Sequence, residues 1–254
     1  MKDITSLQMY QNPQWYDAVY CRSDRGKDKY SQEIIRINNL VKTIGLSKFV
    51  LDVGCGTGSH LYQMSELGYK GWGLDINPKM IECAKEKNQG LPYNFILANM
   101  KDFNLKKQFP LILCMYGAFN YLPDKKAVNE TITCFYKHLT NEGVLIIDSR
   151  WAKNQPKGVM VENRSGGIYI AREWGLKHDS SMHAIYKVAF IKEGDEGMLI
   201  YEEHPQNFCD PFYLKGELER SGFKNVKVCD NFDFDSEISE DSCAWRTVIW
   251  ARKQ

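Results

Sequence analysis

Two aspartates and three glycines define the chemistry this chain is equipped for. The run Asp52-Val-Gly-Cys-Gly-Thr-Gly58 follows a short apolar stretch, Phe49 to Leu51, and a second acid, Asp75, ends the strand-like run Gly71-Trp-Gly-Leu-Asp75. Alternate glycines let a chain leave a strand and turn where side chains would collide with a ligand, and the following helix offers it free N–H groups. The spacing departs from the G-x-G-x-x-G of dinucleotide sites, because the third glycine comes one place early and Ser59 stands where that pattern has its own. No nest for a pyrophosphate is laid out, and Asp52 at the strand's end sits badly beside phosphates. A carboxylate there suits an ammonium group, while Asp75 can accept both hydroxyls of a ribose. The ligand so specified has a ribose and an ammonium and no phosphate.

S-adenosylmethionine has that make-up, with S-adenosylhomocysteine as its product. The segment Asp52 to Gly58 resembles the first motif, D-x-G-x-G-x-G, of class I S-adenosylmethionine-dependent methyltransferases. The resemblance implies that backbone around Gly54, Cys55, Gly56 and Gly58 faces the methionine part, with Asp52 acting through water. It places Asp75 on the ribose and Ile76 and Met80 beside adenine. Asn99 stands where the family has an acid, and its amide oxygen can still accept from the adenine amino group. Met100 and Met115 join this cofactor set, and Tyr16, Tyr30 and His60 are candidates at the methionine end.

The methyl acceptor is expected at Cys114-Met-Tyr-Gly-Ala-Phe-Asn-Tyr-Leu122, the exit of the fourth strand. Aromatic faces and hydroxyl oxygens suit a cationic methyl donor, and Tyr16 and Tyr121 supply both, which makes them the candidate catalytic residues. Trp15 to Tyr20, Gly26 to Tyr30, Met115 to Leu122 and Tyr201 to Phe223 together resemble enzymes that N-methylate the amino group of a nucleotide-linked amino sugar. Those enzymes have a histidine where this chain has Tyr121, and their active-site tyrosine near the N-terminus corresponds to Tyr16. Trp151, Arg172 and His204 are the candidate walls of the acceptor pocket, with Tyr121. A small-molecule O-methyltransferase, a glycine-type N-methyltransferase and a non-catalytic cofactor-binding regulator remain open alternatives.

The elements that must hold these residues follow from periodicity. Apolar runs predict strands at 48–53, 71–75, 93–97, 111–115 and 143–147, then 226–229 and 245–251. Helices are expected at 14–20, from Ser31 to Gly45, at 59–67, from the Asn77-Pro78 cap to about residue 88, at 125–138 and at 211–221. This alternation predicts an α/β fold with a doubly wound, mostly parallel seven-stranded sheet, the Rossmann-like methyltransferase fold. Between residues 158 and 203 four β-like runs separated by turn clusters predict a small antiparallel insert. The expected organisation is a cofactor-binding domain of 1–150 and 207–254, with 1–45 as a helical lid, and an insert of 151–206 over the active site.

Composition excludes several classes of partner. The 33 basic and 32 acidic residues among 254 nearly cancel, so there is no electrostatic footprint for nucleic acid. Eight cysteines and five histidines lack metal-ligand spacing and predict buried thiols rather than a metal site. No apolar run is long enough to span a membrane and the N-terminus lacks a signal-peptide core. A cytoplasmic enzyme acting on a small-molecule acceptor as a monomer or homodimer is the expectation.

Overall fold

A computed structural model describes residues 4–20, 24–154, 158–164, 168–176, 183–192 and 198–254. The chain opens with helices α1 (Gln8–Gln11), α2 (Pro13–Tyr20) and α3 (Asp24–Ile44). Strands β1 (Phe49–Val53), β2 (Lys70–Asp75), β3 (Tyr93–Leu97), β4 (Phe109–Cys114) and β5 (Leu139–Arg150) then alternate with α4 (Ser59–Glu66), α5 (Pro78–Lys87) and α6 (Lys125–His138). Four strands follow, β6 (Met160–Arg164), β7 (Ile168–Leu176), β8 (His183–Lys192) and β9 (Met198–Asn207). The chain closes with α7 (Pro211–Arg220), β10 (Phe223–Asp230) and β11 (Arg246–Lys253).

The main sheet has the order β10-β11-β5-β4-β1-β2-β3, parallel from β5 to β3, with β11 running antiparallel between β5 and β10. Alternate side chains feed two cores. Leu51, Ile112, Cys114 and Ile147 pack with Ile132, Phe135 and Leu214 on one face, and Val50, Leu111, Leu113 and Ile146 pack with Ile37, Leu61 and Ile81 on the other. A sheet covered on both faces explains why its strands read as nearly unbroken apolar runs. The strand order reverses at the β1–β4 pair, so the glycine turn after β1 and the loop after β4 face a common crevice. The second sheet is antiparallel, β6-β7-β8-β9, and Met9 and Val19 of the N-terminal helices pack on its Ile170 and Val188.

Several boundaries differ from expectation, among them these three. Helix α3 starts at Asp24 rather than at Ser31, so Ser31 is an interior residue and not a cap. Strand β5 extends to Arg150, because β11 pairs with it from Val144 through Arg150. Strand β9 continues past 202 to Asn207, since β8 pairs with it as far as Asn207.

The far ends of β5 and β11 are locked by a buried ion network. Asp148 accepts from Arg246 Nε at 2.9 Å and from a second guanidinium nitrogen. Arg246 also pairs with Glu33 of α3 and stands 5.2 Å over the Tyr116 ring. Asp148 accepts the Tyr116 N–H as well, at 2.8 Å, which holds Tyr116 in the left-handed conformation at φ 57°. Burial alone would raise the Asp148 pKa, but the Arg246 charge and hydrogen bonds outweigh it and hold the carboxyl below its ordinary range. Asp148→Asn is therefore expected to lower stability by about 3 kcal/mol at neutral pH, seen as a lower urea midpoint with unchanged slope. A depressed folded-state pKa stabilises above the unfolded aspartate value and is lost as pH falls through the folded one, so the gap to the parent should narrow in acid.

Candidate functional site

At the β1–β4 crevice the chain encloses a cavity of about 290 Å³. One end is bounded by Asp75, Ile76, Asn77, Met80 and Asn99, the other by Tyr10, Tyr16 and Tyr121. Its floor is the glycine turn. Gly54 has φ +74° and a Cβ there would fall 2.6 Å from the Ala118 Cβ, while a Cβ on Gly56 would touch the Tyr16 ring at 3.5 Å. At Gly54 only bare backbone lets the β1 turn approach the β4 loop so closely, and at Gly56 the left-handed φ of +54° is what favours glycine.

Asp75 leaves β2 pointing into this space. Its oxygens accept the Gly56 N–H and the Asn77 N–H, each at 2.9 Å. Burial raises its pKa, partly offset by those backbone donors. The Asn77 side chain in turn caps α5, accepting from the Lys79 and Met80 N–H groups, which fixes Met80 at the cavity edge. Asn99 lines the cavity too, and its Oδ1 accepts the Lys101 N–H at 3.1 Å. Met100 and Met115 also line it.

The remaining expected residues lie around the cavity rather than on it. Asp52 is fully buried beneath the turn, and neither of its oxygens has a hydrogen-bond partner among the described residues. Burial pushes its pKa up to about 6, against the opposing influence of His60 and with a further rise from Asp75. His60 is buried 5.8 Å from the Tyr116 ring and 3.9 Å from Glu33. Cys55 offers backbone only, its sulfur tucked against the position a Gly73 Cβ would occupy. Gly58, at φ +75°, faces Asn88 and Phe95 instead of the cavity. Trp151 turns away, its indole donating to Asp210 at 3.1 Å. Arg172 pairs with Glu162, donates to the Val19 carbonyl and stands 5.5 Å over the Tyr20 ring. The Tyr30 side chain lies outside the described residues.

His204 sits behind the cavity wall and reaches it through Tyr121, whose hydroxyl is 2.8 Å from His204 Nδ1. Tyr10 donates to the Tyr121 hydroxyl at 2.6 Å. Tyr10, Glu202 and Gln206 escaped the sequence reading. The signal was present in β9, where Glu202, His204 and Gln206 alternate on one face and are 4%, 0% and 6% exposed. Polar residues at every second strand position ordinarily mark the solvent side, and here they mark a buried one.

Comparison with known proteins decides the family. A methyltransferase-domain family matches residues 50–143, the span from β1 to the middle of β5. YqeM of Bacillus subtilis, named only as a methyltransferase, is 30% identical over 200 residues, covering 76% of this chain and 80% of that protein. The chain belongs to the S-adenosylmethionine-dependent methyltransferases. This methyltransferase is also 24% identical, over 192 residues, to a dTDP-3-amino-3,6-dideoxy-α-D-glucopyranose N,N-dimethyltransferase of Streptomyces fradiae, across 74% of this chain and 73% of that one. Its fold matches a solved S-adenosylmethionine-dependent methyltransferase of Clostridium acetobutylicum with TM-score 0.77 at 18% identity, over 94% and 97% of the two chains. Streptomyces venezuelae DesVI matches with TM-score 0.75 at 21% identity, over the same shares. Among the described residues no helix is long and apolar enough to cross a membrane.

A neutral Asp52 is favoured in the folded methyltransferase, so its burial carries a penalty that builds up as pH rises from the unfolded aspartate value to about 6 and is in full force above that. That penalty is absent near the unfolded aspartate value of about 4, grows as pH rises, and reaches on the order of 3 kcal/mol at alkaline pH. Asp52→Asn is expected to raise the melting temperature of the cofactor-free protein at pH 8 relative to its effect at pH 4.5, because the amide carries its own burial cost equally at both. A pH-independent effect in thermal scans would show that Asp52 is not ionised with difficulty.

Proposed function

We propose that this methyltransferase moves a methyl group to the nitrogen of a small amine, the amino group of a nucleotide-linked amino sugar being the preferred class. The observation behind it is the acceptor end of the cavity, where Tyr10, Tyr16 and Tyr121 present hydroxyls and ring faces. The name of the Streptomyces fradiae relative supports the sugar class.

The residues present fit S-adenosylmethionine. Asp75 is the carboxylate for ribose hydroxyls, Ile76 and Met80 offer apolar surface for the base, and the bare turn at Gly54 and Gly56 leaves backbone for the methionine part. The orphaned oxygens of buried Asp52 lie beneath that turn, a demand for positive charge or donors that an ammonium answers. When bound, the cofactor supplies an electrophilic methyl on a sulfonium that is already a good leaving group. What remains for the protein is to align the amine, exclude water and accept a proton, and orientation of this kind accounts for about 7–11 kcal/mol of barrier. Tyr16, whose ring packs at a tilt between those of Tyr10 and Tyr20 at 5.9 and 4.8 Å, is the ring wall that orients the acceptor.

On this reading residues 1–45 form a lid and 151–206 an insert over the cavity, with 1–150 and 207–254 carrying the cofactor. Met9 and Val19 against Ile170 and Val188 are the contacts that join the two covers.

Incubation with labelled methyl donor and dTDP-3-amino-3,6-dideoxy-glucose, glycine, and hydroxylated analogues lacking the amine is expected to label the amino sugar at nitrogen. Label on oxygen alone, or on none of the acceptors, would overturn the proposal. Asp75→Ala is expected to weaken S-adenosylhomocysteine by about 10- to 100-fold in calorimetry, as loss of charge-assisted hydrogen bonds predicts.

A further inference from the structure

The hydrogen bonds behind the acceptor end have a direction. The Tyr121 oxygen receives the Tyr10 hydroxyl at 2.6 Å. With Tyr10 donating to it, Tyr121 points its own proton at His204 Nδ1, 2.8 Å away. Neutral His204 then carries its proton on Nε2, which faces Glu202 at 3.7 Å. Glu202 is held by the N–H groups of Gln8 and Met9, the latter at 2.8 Å. Tyr10 lines the cavity and donates its proton away from it to Tyr121, so it is the cavity-side end of this chain of hydroxyls and its oxygen can accept from an incoming donor.

Resting on the amine reading above, we infer that Tyr10 is the group that takes the acceptor's proton, that Tyr121 passes it to His204 Nδ1, and that Glu202 is a positioning residue fixing the His204 tautomer. The acceptor ammonium gives its proton to the Tyr10 oxygen as Tyr10's proton moves to Tyr121 and that of Tyr121 to His204, so each hydroxyl breaks one O–H bond and forms another. His204 ends as an imidazolium beside the Glu202 carboxylate, with no net change on the two tyrosines. The freed amine lone pair forms the new N–C bond while the donor's S–C bond breaks with its electrons left on sulfur. His204 returns its proton to solvent after the cavity opens. Hydroxyls that burial keeps protonated, as it does Tyr10 and Tyr121, suit a concerted wire and could not hold a lasting phenolate. The titratable and charged groups facing the wire are Tyr16 and Tyr20 of α2, Arg150 of β5 and Glu202 of β9.

The test compares single-turnover rates of the full-length parent, Tyr10→Phe and Glu202→Gln on dTDP-3-amino-3,6-dideoxy-glucose between pH 6 and 10, with S-adenosylhomocysteine affinity measured in parallel. Tyr10→Phe is expected to lose about 10²-fold where the free amine is protonated and to approach the parent rate at alkaline pH, where the amine arrives neutral. Its cofactor affinity should stay within about twofold. Glu202→Gln is expected to lower the rate and to move the acidic limb of the rate profile to lower pH, since an imidazolium without its neighbouring carboxylate loses its proton more readily. A Tyr10→Phe loss equal at every pH would make Tyr10 a packing residue and overturn the inference, as would no loss at all. A parent that methylates no amine would instead remove the amine reading, and this inference with it.

Discussion

A carboxylate buried to 4% exposure must be given donors or it will not stay charged, and Glu202 finds them at the opposite end of the chain. The Gln8 and Met9 N–H groups that it receives are the first two of α1, which no preceding residue's side chain caps. A four-residue helix has almost no stability of its own, so α1 exists where it does because β9 offers it a counter-charge and because Met9 finds Ile170 and Val188 to pack on. From this one contact follow the placement of Tyr10, its bond to Tyr121, and the closure of the cavity's acceptor end. Chain ends some 193 residues apart in sequence meet at a single side chain.

The two buried aspartates at the ends of β1 and β5 illustrate opposite solutions to the same problem. Asp148 is surrounded by Arg246 and a backbone N–H, and its charge is favoured. Asp52 has the same depth and no hydrogen-bond partner among the described residues, and its charge is penalised. The first anchors the loop after β4 by holding Tyr116 in an otherwise unfavourable conformation. The second serves nothing in the folded chain alone, which is the pattern expected where stability has been given up for binding.

The cofactor half was legible because its signals are local. Parallel strands buried on both faces read as apolar runs, the glycines announce their turn, and Asn77-Pro78 announces α5, whose cap forms as the residue types require. Asp75, Ile76, Met80, Asn99, Met100 and Met115 all reach the cavity that the motif spacing implied. The other half was not legible, because it is made by long-range pairing. Nothing periodic marks α1. The polar stretch from Asp24 to Lys29 gave no apolar stripe from which to begin α3 early, and the row Glu202, His204, Gln206 reads as a solvent face until the partner layer is known. Trp151 and Arg172 were expected at the acceptor wall from the resemblance alone, and their side chains are engaged by Asp210 and Glu162 instead.

The tyrosine at position 121 gains meaning from this geometry. The resemblance to amino-sugar methyltransferases puts a histidine there, and this chain still has an imidazole within one hydrogen bond, carried on β9 rather than on the turn after β4. A histidine on the turn would be ready whether or not the cavity was covered. With the imidazole on β9, the proton path proposed above is complete only when the N-terminal segment, the turn at Tyr121 and the insert are all docked, since Tyr10, Tyr121 and His204 come from three different elements. On the proposed amine reading, the contact that closes the site is also the contact that finishes the proton path, and deprotonation of the amine is confined to the state from which water has been excluded. An acceptor nitrogen that lost its proton in the open state would regain it from solvent, so coupling the two steps favours transfer over return.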